Sequence, residues 1–165
     1  MSDVSIEPVR DGDLAEILGN FARFWGDHPG VDLLRHLHHP MFFREFAGTA
    51  FAARRPADGG EAGDQIVGYL LGFVAPTGDG YIHFVAVRDD ARGLGLGRRL
   101  YETFTAAAIE RGATALKALT SPGNTGSVAF HRRIGFTQMT LAEDYAGSGR
   151  PRIIMRRPLA RRPPS

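Results

Sequence analysis

Between residues 88 and 98 the chain runs Arg-Asp-Asp-Ala-Arg-Gly-Leu-Gly-Leu-Gly-Arg, a stretch whose composition suits ligand chemistry. Gly93, Gly95 and Gly97 can adopt positive φ and allow close approach to the main chain, so the N–H groups from Gly93 to Arg98 outline an anion site. A helix starting here would turn the positive end of its macrodipole toward the same point. Such a loop alone also fits a dinucleotide-binding turn, a P-loop or a plain strand-to-helix turn. No Gly-Lys-Ser/Thr follows, which argues against a Walker A loop. The glycines also lie halfway along the chain, with no early β-α-β unit and ribose-binding acid of the dinucleotide pattern. Just upstream, Tyr81–Val87 is rich in β-branched and aromatic residues and carries His83. Strict pleat alternation sends His83 to the side of Tyr81, Val85 and Val87. A second histidine, His131, follows Phe130 further on. With an ordinary pKa near 6.5, imidazole can give or take a proton at neutral pH.

These residues must be held by a scaffold, and the chain reads as one. Val4–Val9 is strand-like, and Asp11 or Asp13 can cap a helix through Leu14, Ile17, Leu18 and Phe21. The Gly26–Gly30 break leads to a second short helix, Val31–Leu37, stopped before Pro40, while residues 41–47 are ambiguous. Thr49–Ala53 and Ile66–Val74 read as a hairpin around a Gly/Asp/Ala-rich, mobile loop. After Tyr81–Val87, a helix from Gly95 places Leu96, Leu100, Phe104 and Ala107 or Ala108 on one face and stops at Arg111-Gly112. Ala113–Thr120 is then a strand, Ser127–Arg133 a helix, and Phe136–Leu141 and Arg152–Arg157 strands. The order β-αα-ββ-β-α-β-α-β-β predicts an α+β, three-layer αβα domain: a mixed, mostly antiparallel sheet of about seven strands with helices on both faces. The β-α-β crossover should be right-handed and locally parallel.

Composition bounds the function. At 165 residues, with 43% apolar and 23% charged side chains, the chain suits one domain, taken as residues 1–157 with a basic, Pro-rich tail at 158–165. With no cysteine there is no disulfide framework and no thiolate chemistry. No run approaches the ~20 apolar residues of a membrane helix, and the N-terminus is too polar for a secretory signal, so a cytoplasmic protein without a membrane partner is expected. The net charge of +2 comes from the tail: residues 150–165 hold six arginines and no acids, leaving 14 basic and 18 acidic groups in residues 1–149. Nucleic-acid binding is therefore not expected.

The three parts Arg92-x-x-Gly95-x-Gly97, Asn124 and Phe130-His-Arg-Arg-Ile-Gly-Phe136 occur in order after a strand ending Phe84-Val-Ala-Val87. This resembles the GNAT superfamily of acyl-CoA N-acyltransferases, whose signature is Gln/Arg-x-x-Gly-x-Gly/Ala, then Asn, then Phe-Tyr-x-x-x-Gly-Phe. The resemblance is strong over Tyr81 to Phe136. It implies acetyl transfer from acetyl-CoA to a primary amine by direct attack in a ternary complex, without a metal. It also implies that Arg92, Gly93, Leu94, Gly95, Leu96, Gly97 and Arg98 hold the CoA pyrophosphate, and that Val85, Ala86 and Val87 pair with the pantetheine arm. An N–H of Val85 or Ala86 would polarise the thioester carbonyl, and Asn124 would bond the cofactor's amide region. The family's Tyr, general acid near the CoA sulfur, is His131 here, which implies a cofactor contact and a catalytic acid role. The arylalkylamine branch resembles this chain in placing a histidine at the offset of His83, which implies a base, with Tyr81 holding a water. The acceptor would be a small-molecule amine or a protein N-terminal amine, and homodimers are common in the family. The departure at His131 leaves a non-catalytic acyl-CoA sensor as the competing class.

Other signals carry less. His28, His36, His38 and His39 resemble a metal tract, but no carboxylate stands at ligand spacing, and no metal is expected. The aromatic stretch from Phe21 to Phe46 is largely core, with Trp25 and Phe42 as the candidates to line an acceptor pocket. Glu143 and Tyr145 fall in the loop joining the last two strands, and Arg99 and Arg133 are expected to be helix-surface cations.

Overall fold

The computed structural model describes residues 4–57, 59 and 63–160. The chain orders as β1 (Ser5–Pro8), α1 (Asp13–Gly19), α2 (Phe21–Trp25), α3 (Val31–Leu37), α4 (Met41–Arg44), β2 (Phe51–Pro56), β3 (Asp64–Val74), β4 (Asp79–Val87), α5 (Leu96–Glu110), β5 (Ala115–Thr120), α6 (Thr125–Arg133), β6 (Gln138–Ala142) and β7 (Arg152–Pro158). The seven strands form one sheet in the order β1-β2-β3-β4-β5-β7-β6. Only β4 and β5 run parallel, joined across α5 as the β-α-β reading expects.

Apolar residues on the two sheet faces feed two cores. On one face Val67, Leu70, Ile82, Leu116 and Met155 pack with Leu96, Leu100, Phe104 and Ala108 of α5, the stripe predicted from spacing. Gly72 makes room for this helix: a Cβ there would meet Phe104 Cε2 at 2.6 Å and the Tyr81 carbonyl oxygen at 2.7 Å. On the other face Ile66, Tyr69, Leu71 and Ala86 pack with Ile17, Phe21, Phe24, Phe42 and Phe43 from the four short N-terminal helices.

Several boundaries differ from the sequence reading. The first helix is capped not by an aspartate side chain but by Gly12 in the left-handed region, and Asp13 instead accepts the Arg10 N–H and pairs with Arg54. That helix also breaks at Asn20 into α1 and α2. Residues 41–47 become α4 and the start of a 3-10 turn, Ala47–Thr49, so β2 begins at Phe51. Phe136 is a buried core residue before β6, which starts at Gln138. β7 runs through Pro158, and Leu159 donates its N–H to Thr114 and packs on the core, so order extends past residue 157. Part of the loop expected to be mobile (58 and 60–62) and the last five residues of the tail (161–165) lie outside the described residues.

Two irregularities shape the centre of the sheet. β4 pairs with β5 only from Asp79 to Ile82, but with β3 as far as Val87, so β4 and β5 part beyond Ile82. Opposite Leu71 and Gly72 stand Phe84 and Ile82, which leaves His83 as the extra residue of a β-bulge. The bulge breaks the alternation that predicted a shared side for His83, Val85 and Val87. Ile82, Val85 and Val87 pack toward α5, whereas His83 stacks on Phe42 and Tyr81 on Phe73, on the face of the N-terminal helices.

Candidate active site

The glycine-rich turn opens α5 as the sequence requires. Gly93 and Gly95 have φ of 78° and 72°, and Gly95 is the N-cap, so the cap residue has no side chain to bond the first-turn N–H groups. Leu96 is buried and anchors the turn, Leu94 and Arg98 are exposed, and Gly97 faces the Phe130 ring, 3.3 Å from where a Cβ would stand. The main-chain donors at residues 96–98 are thus presented at the positive end of a 15-residue helix. The Arg92 side chain turns back, donating to the carbonyls of Val87 and Phe24. Before the turn, Arg88 is buried and bonds Asp90 and Gln65, while Arg23 and Arg55 also pair with Asp90. Burial would raise the Asp90 pKa, but the bonds from Arg88 and Arg55 and the charge of Arg23 outweigh it and hold the carboxyl at about 2.

The main chain of β4 supplies the next element. Arg88 donates its N–H to Val67, marking a hydrogen-bonded pair. By the alternation of an antiparallel ladder, Ala86 and Phe84 also spend their main-chain groups on β3. Val85 directs its groups toward the gap left by β5, and the carbonyl of Val87, on the same side, is taken by the Arg92 guanidinium. Of the two candidates for polarising a carbonyl, the ladder therefore points to Val85 rather than Ala86.

A cleft of about 560 Å³ opens along this gap, and among its lining residues are Trp25, His83, Val85, Asn124, His131 and Arg152. The fold thus brings both predicted catalytic histidines and Asn124 to one cavity. His83 is half-buried, and its Nε2 donates to the Leu37 carbonyl at 3.1 Å, leaving Nδ1 as the basic nitrogen. Burial lowers its pKa below 6.5, against a smaller raising effect of the Leu37 bond, so the ring is neutral at pH 7. His131 is buried; its Nδ1 donates to the Ser127 carbonyl at 2.7 Å, and its Nε2 accepts from the Tyr101 hydroxyl at 2.6 Å. Burial lowers this pKa also, against the Ser127 bond. His131 is therefore a neutral acceptor in this arrangement, its Nε2 lone pair facing the Tyr101 hydroxyl.

Asn124 caps α6, its Oδ1 accepting the Ser127 N–H at 3.1 Å, which leaves Nδ2 as its donor at the cleft. Trp25 lines the cleft, but Phe42 lies behind it, buried beneath His83. Tyr81, Glu143 and Tyr145 are not among the lining residues. Arg99 bonds the Val4 carbonyl, and Arg133 is exposed. Trp25 is held by a buried chain: its Nε1 donates to Tyr69 Oη at 2.7 Å, Tyr69 donates to His38 Nε2 at 2.8 Å, and His38 Nδ1 donates to the Leu34 carbonyl at 2.6 Å. His38, one of the discounted histidines, is thus fully engaged in packing. Among the described residues no group of three or more His, Cys, Asp or Glu is placed to hold a metal, and no helix is long and apolar enough to cross a membrane.

Sequence reasoning missed Tyr101 and Arg152. Tyr101 follows Leu100 in an apolar helix stripe and reads as core, and Arg152 reads as the start of an edge strand; neither carried a motif signal.

A glycine turn at a helix start and two strands that part beside it suit an acyl-CoA-type transferase site. The sequence model of the Acetyltransferase (GNAT) family matches residues 15–136. An L-methionine sulfoximine/L-methionine sulfone acetyltransferase of Pseudomonas aeruginosa is 43% identical over 147 residues, covering 78% of each chain, as is the protein of that name from Pseudomonas paraeruginosa. Among solved structures, a chain of the NatC complex bound to Gag peptide and CoA superposes with TM-score 0.71 at 17% identity, covering 96% of this chain and 99% of that one. The ribosomal-protein-S18-alanine N-acetyltransferase of Escherichia coli gives 0.68 at 18% identity and 99% coverage of both. The chain belongs to the GNAT family. It is an acetyltransferase that draws its acetyl group from acetyl-CoA.

Proposed function

We propose that this enzyme acetylates the α-amino group of a small free amino acid with an uncharged side chain. The observation that carries the reading is the charge of the cleft. Among its described lining residues Arg152 alone bears a permanent charge, and none is a carboxylate. The Arg152 guanidinium donates to the adjacent Pro151 carbonyl. In β7, Ile153 and Met155 pack toward α5, so pleat alternation puts Arg152 on the opposite face, the one that carries His83. A guanidinium there suits a carboxylate, which it can grip through two parallel N–H bonds. Leu33, Leu34 and Leu37 of α3 supply an apolar wall for the side chain. The relatives that act on L-methionine sulfone and sulfoximine support the same substrate class.

The Gly93–Arg98 turn, braced by Arg92, suits the diphosphate of acetyl-CoA, while Val85 and Asn124 offer polar groups along the gap. When bound, acetyl-CoA supplies an activated thioester. The Val85 N–H then steadies the charge that develops on the carbonyl oxygen, an effect worth about 3 kcal/mol. His83, neutral at pH 7, takes through Nδ1 the proton that the incoming ammonium must lose. His131, at the family's general-acid position, lines the same cleft and accepts a hydrogen bond from Tyr101.

The test is release of CoA thiol with L-methionine sulfone and other L-amino acids, with matched amines lacking the carboxylate, and with short peptides. Free amino acids should be the best acceptors. Arg152→Gln should raise KM for them at least tenfold while leaving carboxylate-free amines unchanged. Preference for peptides or for carboxylate-free amines overturns the reading.

A further inference from the structure

The α3 helix walls the cleft with Leu33, Leu34 and Leu37, yet none of its residues is fully buried, and Leu33 and Leu37 are 63% and 41% exposed. Apolar packing of so short a helix does little to fix it to the sheet. Polar links do more. Arg35 donates to the Leu18 carbonyl of α1, and His38, the residue that ends α3, is tied to β3. The His38 ring is 3% exposed and lies flat on Phe84 of β4, with centroids 4.6 Å apart and planes 8° apart. Each proton in its hydrogen-bond chain has one place to go. The Leu34 carbonyl can only accept, so Nδ1 carries the proton. Burial holds the ring neutral, so Nε2 accepts from the Tyr69 hydroxyl, whose oxygen in turn accepts from the Trp25 indole. His38 is not among the residues that line the cleft; it stands behind the wall and acts only through its neighbours.

The residue before His38 connects this chain to the chemistry. Leu37 stands at the C-terminal end of α3, where a carbonyl has no partner within its helix, and it accepts the Nε2–H of His83 at 3.1 Å. That bond decides which nitrogen of His83 is free. We propose that His38 is a positioning residue for acetyl transfer: by clamping the end of α3 to the sheet it holds the Leu37 carbonyl against His83 Nε2, so that the Nδ1 lone pair meets the acceptor's ammonium. The inference rests on His83 being the base. A neutral imidazole without a fixed partner carries its proton on either nitrogen, and a ring released from Leu37 would turn an N–H toward the ammonium for part of the time. The Tyr69 hydroxyl serves Trp25 as well, so one clamp sets the indole, the α3 wall and the base together.

The experiment compares wild type with His38→Phe, which keeps an aromatic ring on Phe84 but breaks the chain, and with His38→Gln, whose amide can still donate and accept. Long-range proton–nitrogen NMR spectra of the histidine rings, with His83 assigned by its loss in His83→Gln, read the tautomer. Wild type should show His83 protonated on Nε2, His38→Phe a mixture of both tautomers, and His38→Gln the wild-type pattern. With the best acceptor of the panel above, kcat should fall about tenfold or more in His38→Phe and return to within about threefold of wild type in His38→Gln. Calorimetry should give the same Kd for CoA in all three, because the glycine turn is untouched. In a His83→Gln background, His38→Phe should cost no further kcat, as a residue acting through His83 requires. An unchanged His83 tautomer or unchanged kcat in His38→Phe, no recovery in His38→Gln, or a further loss beyond His83→Gln overturns the proposal. If His38→Phe does not fold, Tyr69→Phe cuts the same clamp from the sheet side, and a wild-type tautomer and rate there overturn it equally. A full rate in His83→Gln removes the base reading and this proposal with it, whereas a slow His83→Gln beside a fully active His38→Phe removes the clamp alone.

Discussion

The imidazole of His83 lies flat on the ring of Phe42, with centroids 4.5 Å apart and planes 10° apart. This contact exists because the β4 bulge turns His83 toward the N-terminal helices, and it supplies part of the burial that lowers the histidine's pKa. The free-base form therefore predominates at pH 7, and kcat/KM should decline as pH drops below 6.5. His83→Gln should remove that acidic limb and slow turnover by about 10²–10⁴. Phe42→Ala should hydrate the imidazole and move the limb to higher pH. A wild-type limb centred at or above pH 7 contradicts the assignment.

Stability should depend on pH through His38. Burial lowers its pKa to about 4, opposed by the bond to Leu34 and reinforced by the nearby His83. The unfolded chain titrates near 6.5, so below that pH it binds a proton that the folded state refuses. The stabilisation is complete above pH 6.5 and is lost as pH falls to about 4, a change of about 3 kcal/mol. Urea midpoints at pH 7 and pH 4.5 should show this drop, and His38→Gln should shrink it. Tyr69→Phe leaves both His38 Nε2 and Trp25 Nε1 without their shared partner, and should cost about 2 kcal/mol at pH 7.

The glycine turn separates backbone strain from space. At Gly95, φ is 72° and nothing lies within 4 Å of a Cβ, so Gly95→Ala meets no clash but strains the backbone by about 1–2 kcal/mol. Calorimetry should show CoA binding weakened at least tenfold, with only a small drop in thermal midpoint. Gly19, at the end of α1 with equally open space and no positive φ, is the control. Gly19→Ala should stabilise by about 0.5 kcal/mol and leave CoA affinity alone.

Asp90 ties β4 to that turn. Asp90→Ala would leave Arg88, which is 2% exposed, with Gln65 in place of its carboxylate, at a cost of about 3 kcal/mol. The thermal midpoint should fall by roughly 10 °C, and CoA affinity should weaken because the turn loses its brace. Since the carboxyl stays ionised down to about pH 2, the wild-type contribution of Asp90 should persist at pH 4, well above the point at which protonation removes it.

What the sequence determined alone was local: the left-handed glycines before α5, the stripe of Leu96, Leu100 and Phe104 and the strand ending at Val87 are all set by neighbours a few residues apart. These sufficed to place the anion turn and the fold. Tertiary structure decided which groups meet and which way they face. His83 changed sides because a bulge forms only against β3, and no alternation rule within β4 reports the partner's register. Tyr101 and His131 lie 30 residues apart, and Trp25 and Tyr69 44, so their hydrogen bonds arise only when α6 settles against α5 and α2 settles on the sheet. A buried hydroxyl or imidazole must find a partner, and which one it finds is a property of packing rather than of the segment that carries it.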